Sequence, residues 1–219
     1  MKKPLSNYLE IARRAAAALA LLSLLAFTAQ AETTEADRRL AQLQGWLDET
    51  RTLAGSFEQE LLSGAFGTGM EESGRFALER PGKIRFEYVD PEHKISIVNG
   101  RRTYFWVAED DDLMVGEIPE EGDLLGALLI QEQPLEPLFE ASIDVEPTRR
   151  GRFRLRLVPR EEQETLTELI VTARSDSGAI EAVEVLDAAG NRVLYRFPKV
   201  RRNRPLEAEL FTLESGAVR

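Results

Sequence analysis

The side chains that most often carry catalysis are scarce in this chain. It has one histidine, His93, and no cysteine among its 219 residues. A serine triad needs a histidine base and a zinc site needs several histidine or cysteine ligands, and the sequence around His93 supplies neither arrangement. Its setting within Asp90–Lys94 is typical of a solvated turn. We therefore predict no catalytic residue, no metal site and no cofactor.

Acidic side chains are the other groups with possible chemistry, and they occur in short runs at Glu71–Glu72, Asp110–Asp112 and Glu120–Glu121. Paired carboxylates can hydrolyse glycosidic bonds, and suitably spaced ones can bind calcium. All three runs lie between predicted strands, and none has the ligand spacing of a dedicated calcium loop. We interpret them as solvated charge in turns.

Four arginines within Arg149–Arg154 could suggest an anion site. Arg152 and Arg154 alternate with Phe153 and Leu155. Alternate residues of a strand point to opposite faces of a sheet. We therefore predict that these arginines line the outer face of a strand.

The elements that would position any site begin with an amphipathic helix over Glu35–Arg51, where Leu40, Leu43 and Leu47 recur at helical spacing. After Gly55, apolar and polar residues mostly alternate, as they do in half-buried strands. We predict about ten antiparallel strands: Ser56–Leu61, Arg75–Glu79, Lys83–Tyr88, Ile95–Val98, Thr103–Val107, Leu113–Ile118, Phe153–Leu157, Leu169–Thr172, Ile180–Leu186 and Val193–Phe197.

Two apolar segments, Leu124–Ile130 and Pro134–Phe139, interrupt the alternation and predict two short helices with a proline-marked break between them. So many strands in succession favour a barrel or one strongly curved sheet, with helices covering its concave side. A sheet of this kind often holds an apolar ligand cavity, although the same side chains could simply build a packed core.

The first residues are typical of a secretory signal peptide. Lys2, Lys3, Arg13 and Arg14 precede an apolar run that ends in Ala29-Gln30-Ala31, a small-residue cleavage pattern. We predict cleavage after residue 31 and one domain over residues 32–219, the alternative being an uncleaved N-terminal anchor. An exported chain without cysteine forms no disulfide and carries no lipid anchor on cysteine. We expect it in the periplasm.

The charge of the chain excludes one class of partner. Removing residues 1–31, which carry four basic residues and one acidic one, lowers the formal charge from −10 to −13. Nucleic-acid binding draws most of its affinity from basic surface, so we predict no nucleic-acid partner. A charge of this size also favours a soluble monomer.

Several motifs in a fixed order carry a resemblance. Phe57-x-Gln59 is followed by Gly74-x-Phe76 and then by Arg80-Pro81-x-x-Ile84-Arg85-Phe86. Further on come Pro91, Ile97, Asn99-Gly100 and an aromatic strand, and the tail contains Asn203-x-Pro205-Leu206. With its signal peptide and lack of cysteine, the chain resembles the LolA family of periplasmic lipoprotein carriers over its whole predicted mature length.

The resemblance implies a mainly β fold with some α: a single antiparallel, strongly curved, half-open β-barrel of about 11 strands covered by short lid helices. It implies a carrier, not an enzyme, that accepts the acyl chains of lipoproteins from an inner-membrane lipoprotein-releasing ABC transporter. The carrier would then pass them to an outer-membrane acceptor lipoprotein. An acyl chain needs such a cavity because each methylene left in water costs about 0.8 kcal/mol.

The resemblance also implies roles for particular residues. Arg80 matches the arginine that holds the lid helices closed over the empty cavity, a task suited to a guanidinium that bonds carbonyl oxygens and keeps its charge. The cavity residues that we predict are Phe57, Phe76, Leu78, Ile84, Phe86, Tyr88, Tyr104, Trp106, Leu128, Leu129, Leu138 and Phe139.

Two departures from the family pattern leave the cargo open. Ala77 stands where well-studied members often have tryptophan, and Val107–Asp110 replaces a Tyr-x-Pro turn. The alternatives to a lipoprotein carrier are a carrier of another lipid cargo and a lipoprotein-sensing regulatory module of the same fold.

Overall fold

The fold begins with helix α1, which is helical at residues 35–48. The computed structural model describes residues 35–62, 69–109, 112–117, 128–129, 132–146, 149–162 and 166–213, so the predicted signal peptide lies outside the described residues. Ala36, Leu40, Leu43 and Leu47 are buried at helical spacing, which confirms the predicted amphipathic helix. The helix ends before Arg51.

Eleven strands follow. Their bounds are β1 Thr52–Leu62, β2 Gly69–Glu79, β3 Lys83–Asp90, β4 Lys94–Asn99, β5 Arg102–Val107, β6 Asp112–Glu117, β7 Phe139–Ile143, β8 Arg152–Pro159, β9 Glu168–Arg174, β10 Ile180–Leu186 and β11 Arg192–Arg202. A short 3-10 helix, Ala208–Phe211, follows in the C-terminal segment.

The strands form one antiparallel sheet in the order β6-β5-β4-β3-β2-β1-β11-β10-β9-β8-β7. Every neighbour in this order is also a neighbour in sequence except for β1 and β11, whose pairing joins the two halves of the sheet. Within the described strands β6 and β7 remain at opposite edges, so the sheet does not close. The prediction of a mainly β chain with one open antiparallel sheet of about 11 strands is confirmed.

Side chains from both halves of the sheet meet in one apolar core around α1. Leu43 and Leu47 of α1 share this core with Phe57 of β1, Leu78 of β2 and Leu155 of β8. A flat sheet could not bring β2 and β8 to the same helix, because they lie five positions apart in the strand order. The sheet therefore curls around α1, and we call the side that α1 covers the concave face.

A second apolar cluster lies on the opposite side, the outer face. Ile95, Ile97, Tyr104 and Trp106 pack there with Phe211 of the 3-10 helix. The C-terminal segment thus covers this part of the sheet, since Arg85 of β3 also donates to the carbonyl of Leu210 at 3.2 Å. Alternate residues of a strand point to opposite faces of the sheet. In this half of the sheet each of the two faces carries an apolar cluster.

Several predicted elements differ in the structure. The second short helix, at Pro134–Phe139, is wrong: residues 136–138 form a turn and Phe139 begins β7. Prolines at 134 and 137 lack the N–H groups that a helix needs, and β8 offers Phe139 a strand partner in Pro159. Of the first short helix, only Leu128 and Leu129 are described, and both are helical.

The acidic residues that we predicted in turns also differ in part from the structure. Glu71 and Glu72 belong to β2, so their assignment to a turn is wrong, and Glu72 is buried. Asp112 begins β6, whereas Asp110, Asp111 and Glu120–Glu121 lie outside the described residues. His93 does lie in the turn between β3 and β4, with 43% of its side chain exposed.

Candidate functional site: an apolar cavity on the concave face

Arg80 lies in the turn between β2 and β3, and only 5% of its surface is exposed. Its guanidinium donates from Nη1 to the carbonyl oxygen of Leu47 in the last turn of α1. Carbonyls in the last turn have no N–H partner within the helix, so they are ready acceptors. The backbone N–H of Arg80 also donates to the carbonyl of Arg51, at 2.8 Å. Arg80 therefore ties this turn of the sheet to the end of α1.

Electrostatics favour the same contact. Burial lowers the pKa of Arg80 from its ordinary value, and the nearby carboxylates of Glu132 and Asp48 act in the opposite direction. A guanidinium nevertheless keeps its proton in proteins. The C-terminal end of a helix carries partial negative charge, so the fixed positive charge of Arg80 stabilises α1 where it lies.

Asn203 follows β11, the other neighbour of β1, and holds the same junction. Its side-chain amide donates to the carbonyl of Glu49 at 2.9 Å and accepts from the N–H of Arg51 at 2.8 Å. Its backbone is left-handed, with φ 55°. Asparagine adopts this conformation more readily than most residues. The Asn203-x-Pro205-Leu206 motif therefore fixes the segment that joins α1 to β1.

On the concave face, apolar side chains line a cavity of about 20 Å³. Its lining residues are Phe76, Leu78, Ile84, Phe86, Leu129 and Phe197. This volume is about that of one water molecule. An acyl chain is far larger, so it can enter only if the side chains that line the cavity move apart.

Aromatic rings line this cavity and the core beside it. Phe57 contacts Phe86 and Tyr88 edge-on, both with centroids 5.0 Å apart. Phe76 contacts Phe197 across the junction between the two halves of the sheet, also at 5.0 Å. Direct pairing explains the arrangement, because Phe76 of β2 lies opposite Phe86 of β3 and so shares its face.

The structure brings ten of the predicted cavity residues together in or against the core around α1. They are Phe57, Phe76, Leu78, Ile84, Phe86, Tyr88, Leu128, Leu129, Leu138 and Phe139. Phe76, Leu78, Ile84, Phe86 and Leu129 line the 20 Å³ cavity itself, and the rest belong to the surrounding core. Phe197, which also lines the cavity, was not predicted, although its place in the alternating run Val193–Phe197 could have indicated it.

Tyr104 and Trp106 are not part of this site. They lie on the outer face in the second cluster, because they pair with Ile97 and Ile95 of β4. Their placement in the cavity is therefore corrected. Both faces of Thr103–Val107 carry apolar residues, so the alternation could not show which side faces α1.

A polar group of residues on the concave face was missed by the sequence analysis. Tyr88 donates from its hydroxyl to Gln59 at 2.9 Å, Gln59 donates to Glu72 at 3.1 Å, and Lys94 forms an ion pair with Glu72. We call Gln59, Glu72, Tyr88 and Lys94 the polar cluster. Only Gln59 and Tyr88 carried a signal, through the Phe-x-Gln motif and the alternation of β3.

Two kinds of feature are absent from the described part of the chain. Among those residues, no group of three or more histidine, cysteine, aspartate or glutamate side chains is placed to hold a metal ion. No helix within the same ranges is long and apolar enough to cross a bilayer.

The fold and the site define a binding protein with an apolar cavity on the concave face of a curled, open sheet. The chain belongs to the LolA family: the family model for outer membrane lipoprotein carrier protein LolA matches residues 48–214. The match covers all eleven strands and the turn that holds Arg80.

Relatives support this assignment along nearly the whole chain. The outer-membrane lipoprotein carrier protein of Cupriavidus necator is 30% identical over 209 residues, covering 91% of this chain and 94% of the relative. That of Methylococcus capsulatus is 29% identical over 192 residues, covering 87% and 88%. Among solved structures, an uncharacterized conserved protein from Thermus thermophilus has the same fold, with TM-score 0.52 and 11% identity over 84% of this chain and 96% of that one.

Proposed function

We propose that this protein is a periplasmic carrier that takes up the acyl chains of lipoproteins beneath α1 and moves them from the inner to the outer membrane. The observation that carries the proposal is the Arg80–Leu47 contact, which ties α1 to the apolar core that holds the small cavity. A permanent core would need no single buried cation to hold a helix over it. A cavity that must open and close benefits from a contact that can be broken.

The energetics of such a cycle are balanced. A hydrogen bond from a charged group contributes about 1.5–3 kcal/mol, which is enough to keep the empty cavity closed. Each methylene of an entering chain gains about 0.8 kcal/mol, so a few methylenes offset the broken contact. Loading and unloading then both remain accessible, and the protein breaks no covalent bond in either step.

The partners follow from the same role. The printed names of the relatives support a lipoprotein cargo for this chain as well. We propose an inner-membrane lipoprotein-releasing ABC transporter as donor and an outer-membrane acceptor lipoprotein as recipient. Export would follow from the proposed signal peptide, residues 1–31, which leaves the domain 32–219 in the periplasm as a monomer.

Two measurements test the proposal. Protein isolated from its own periplasm is analysed by native mass spectrometry, and we expect a fraction whose added mass equals that of a lipoprotein. Purified protein is also titrated with a fluorescent fatty acid, and we expect saturable binding. Added masses of small lipids alone would favour another lipid cargo. If the protein carries no bound lipid and shows no saturable binding, a carrier function is refuted altogether.

A further inference from the structure

The polar cluster occupies an unusual position for charged side chains. Its members lie side by side on β1 to β4, since Gln59 pairs with Glu72 and Tyr88 pairs with Lys94. The side chains of Glu72 and Lys94 are only 7% and 18% exposed. The ammonium of Lys94 also lies 4.6 Å from the centre of the Tyr88 ring.

This cluster lies on the concave face, continuous with the cavity wall. The rings of Phe57 and Tyr88 are in contact, and Phe57 precedes Gln59 by two residues on the same face of β1. Arg80 is at the other end of these strands, where β2 ends and β3 begins. The concave face therefore runs from Arg80, past the aromatic rings of Phe86 and Phe57, to the polar cluster.

The cluster has hydrogen-bond donors to spare. Lys94 has three N–H donors, and its ion pair with Glu72 uses one of them within the described residues. Tyr195 of β11 lies directly beside Gln59 and packs its ring against Phe86, with centroids 5.8 Å apart. Its hydroxyl makes no hydrogen bond to the portion of the chain that is described. Burial raises the pKa of Tyr195 to about 12, so this hydroxyl remains a donor at neutral pH.

Burying these groups is costly for a protein that needs only an apolar wall. Ion pairs in apolar surroundings often contribute no more to stability than well-packed hydrophobic residues would. Spare donors at one end of an apolar groove instead match a ligand that is apolar along its length and has acceptors at one end. An acylated molecule has this form, with ester or amide carbonyl oxygens at the head of each chain.

We propose that the polar cluster, together with Tyr195, binds the ester or amide carbonyl at the head of the acyl chain and so sets the direction in which the cargo enters. The chain then extends along Phe57 and Phe86 toward Arg80. This inference rests on the proposed carrier function and adds to it a head-group site. Such carbonyls occur both in lipid-modified polypeptides and in free phospholipids.

The test compares two ligands that differ only in the carbonyl. The dye N-phenylnaphthylamine is bound to the full protein and displaced by methyl palmitate or by hexadecyl methyl ether, which has a similar chain and no carbonyl. We expect the ester to displace the dye at about tenfold lower concentration, the effect of one or two net hydrogen bonds. Equal displacement by the two ligands would refute the head-group site and leave the carrier function intact.

Variants locate the effect. Tyr195→Phe removes only a hydroxyl, and Lys94→Met removes the spare ammonium donors. We therefore expect the ester-to-ether ratio to fall toward one in the combined variant. Tyr104→Phe, which removes a hydroxyl from the outer face, is the matched control and should keep the ratio. An unchanged ratio in Tyr195→Phe and in the combined variant would refute the site.

A last comparison identifies the source of the carbonyl. A synthetic diacylated lipopeptide and phosphatidylethanolamine are used as competitors, and the one that displaces the dye at lower concentration is the better match to the site. If no acyl compound displaces the dye, the carrier function fails and the head-group site with it.

Discussion

The guanidinium of Arg80 and the carbonyl of Leu47 join the sheet to the last turn of α1 across 33 residues of sequence. The contact is buried at the edge of the concave face, where water cannot replace it without the helix moving. We therefore expect this contact to couple loading of the cavity to displacement of α1.

Replacing Arg80 by leucine should favour the open, loaded state. The variant loses a contact of about 1.5–3 kcal/mol that only the closed state makes, so we expect release of a bound fluorescent fatty acid to slow by roughly tenfold or more. Stopped-flow transfer to acceptor vesicles measures the rate. Arg75→Leu, an exposed change on the adjoining strand β2, should release the probe at the wild-type rate. If Arg80→Leu releases the probe at the wild-type rate, the Arg80–Leu47 contact does not hold the cavity closed.

Asn203 should matter for stability rather than for cargo. Asn203→Ala loses the three side-chain hydrogen bonds and puts a residue that disfavours the left-handed region at φ 55°, whereas Asn203→Gly loses the bonds but adopts this backbone freely. We expect urea unfolding to show a loss of about 2–3 kcal/mol for alanine and about 1 kcal/mol less for glycine. An equal loss in the two variants would mean that the left-handed backbone contributes nothing.

Gly74 is required by the close approach of two strands. A β-carbon there would lie 2.0 Å from the carbonyl oxygen of Glu87 and 2.9 Å from the Phe57 ring. Since one obstacle is backbone, we expect Gly74→Ala to cost at least about 2 kcal/mol in urea unfolding. Gly45→Ala is the control, because Gly45 lies in α1 with open space around it. We expect that change to stabilise by about 0.5–1 kcal/mol.

The parts of the fold that the sequence predicted well are those where one face is apolar and the other polar. In Lys83–Tyr88 the alternation is complete, so both the strand and its buried face follow from it. The prediction failed where that contrast disappears. Thr103–Val107 is apolar on both faces, and only pairing with β4 shows that Tyr104 and Trp106 face outward.

The missed polar cluster has a related cause. Gly69–Gly74 has few apolar residues and follows a glycine-rich segment, so it resembles a turn. It becomes a strand because β1 supplies a complete ladder of partners, from Gly69 with Leu62 to Gly74 with Phe57. Pairing of this kind depends on distant residues and leaves no local pattern, so the burial of Glu72 could not be predicted.

Asp144 should give the fold a measurable dependence on acid. Burial alone would raise its pKa, but hydrogen bonds from Arg154 and Arg156 outweigh burial and lower it. A carboxylate with a lowered folded-state pKa stabilises the protein above its unfolded pKa, about 3.9, and this contribution is lost as the pH falls through the folded value. Asp144→Asn lacks the contribution at every pH.

The stability difference between wild type and Asp144→Asn should therefore be about 1–3 kcal/mol at pH 7 and shrink as the pH falls below 4. Urea titrations from pH 7 to pH 2.5 measure it. Glu140→Gln, an exposed change on β7, should show a small difference throughout. A difference for Asp144→Asn that stays constant with pH would show that the arginine contacts do not shift this carboxyl.

The two tryptophans allow the two faces of the sheet to be tested separately. Trp46 of α1 belongs to the core of the concave face, and Trp106 belongs to the cluster on the outer face. Trp106→Phe and Trp46→Phe each leave one indole in the chain. A bromine atom on a fatty acid quenches an indole that it contacts, so the brominated acid reports which face it occupies. We expect strong quenching in Trp106→Phe, which keeps Trp46, and almost none in Trp46→Phe. Strong quenching of Trp106 alone would place the acyl chain on the outer face, under the C-terminal segment, and would refute the cavity on the concave face.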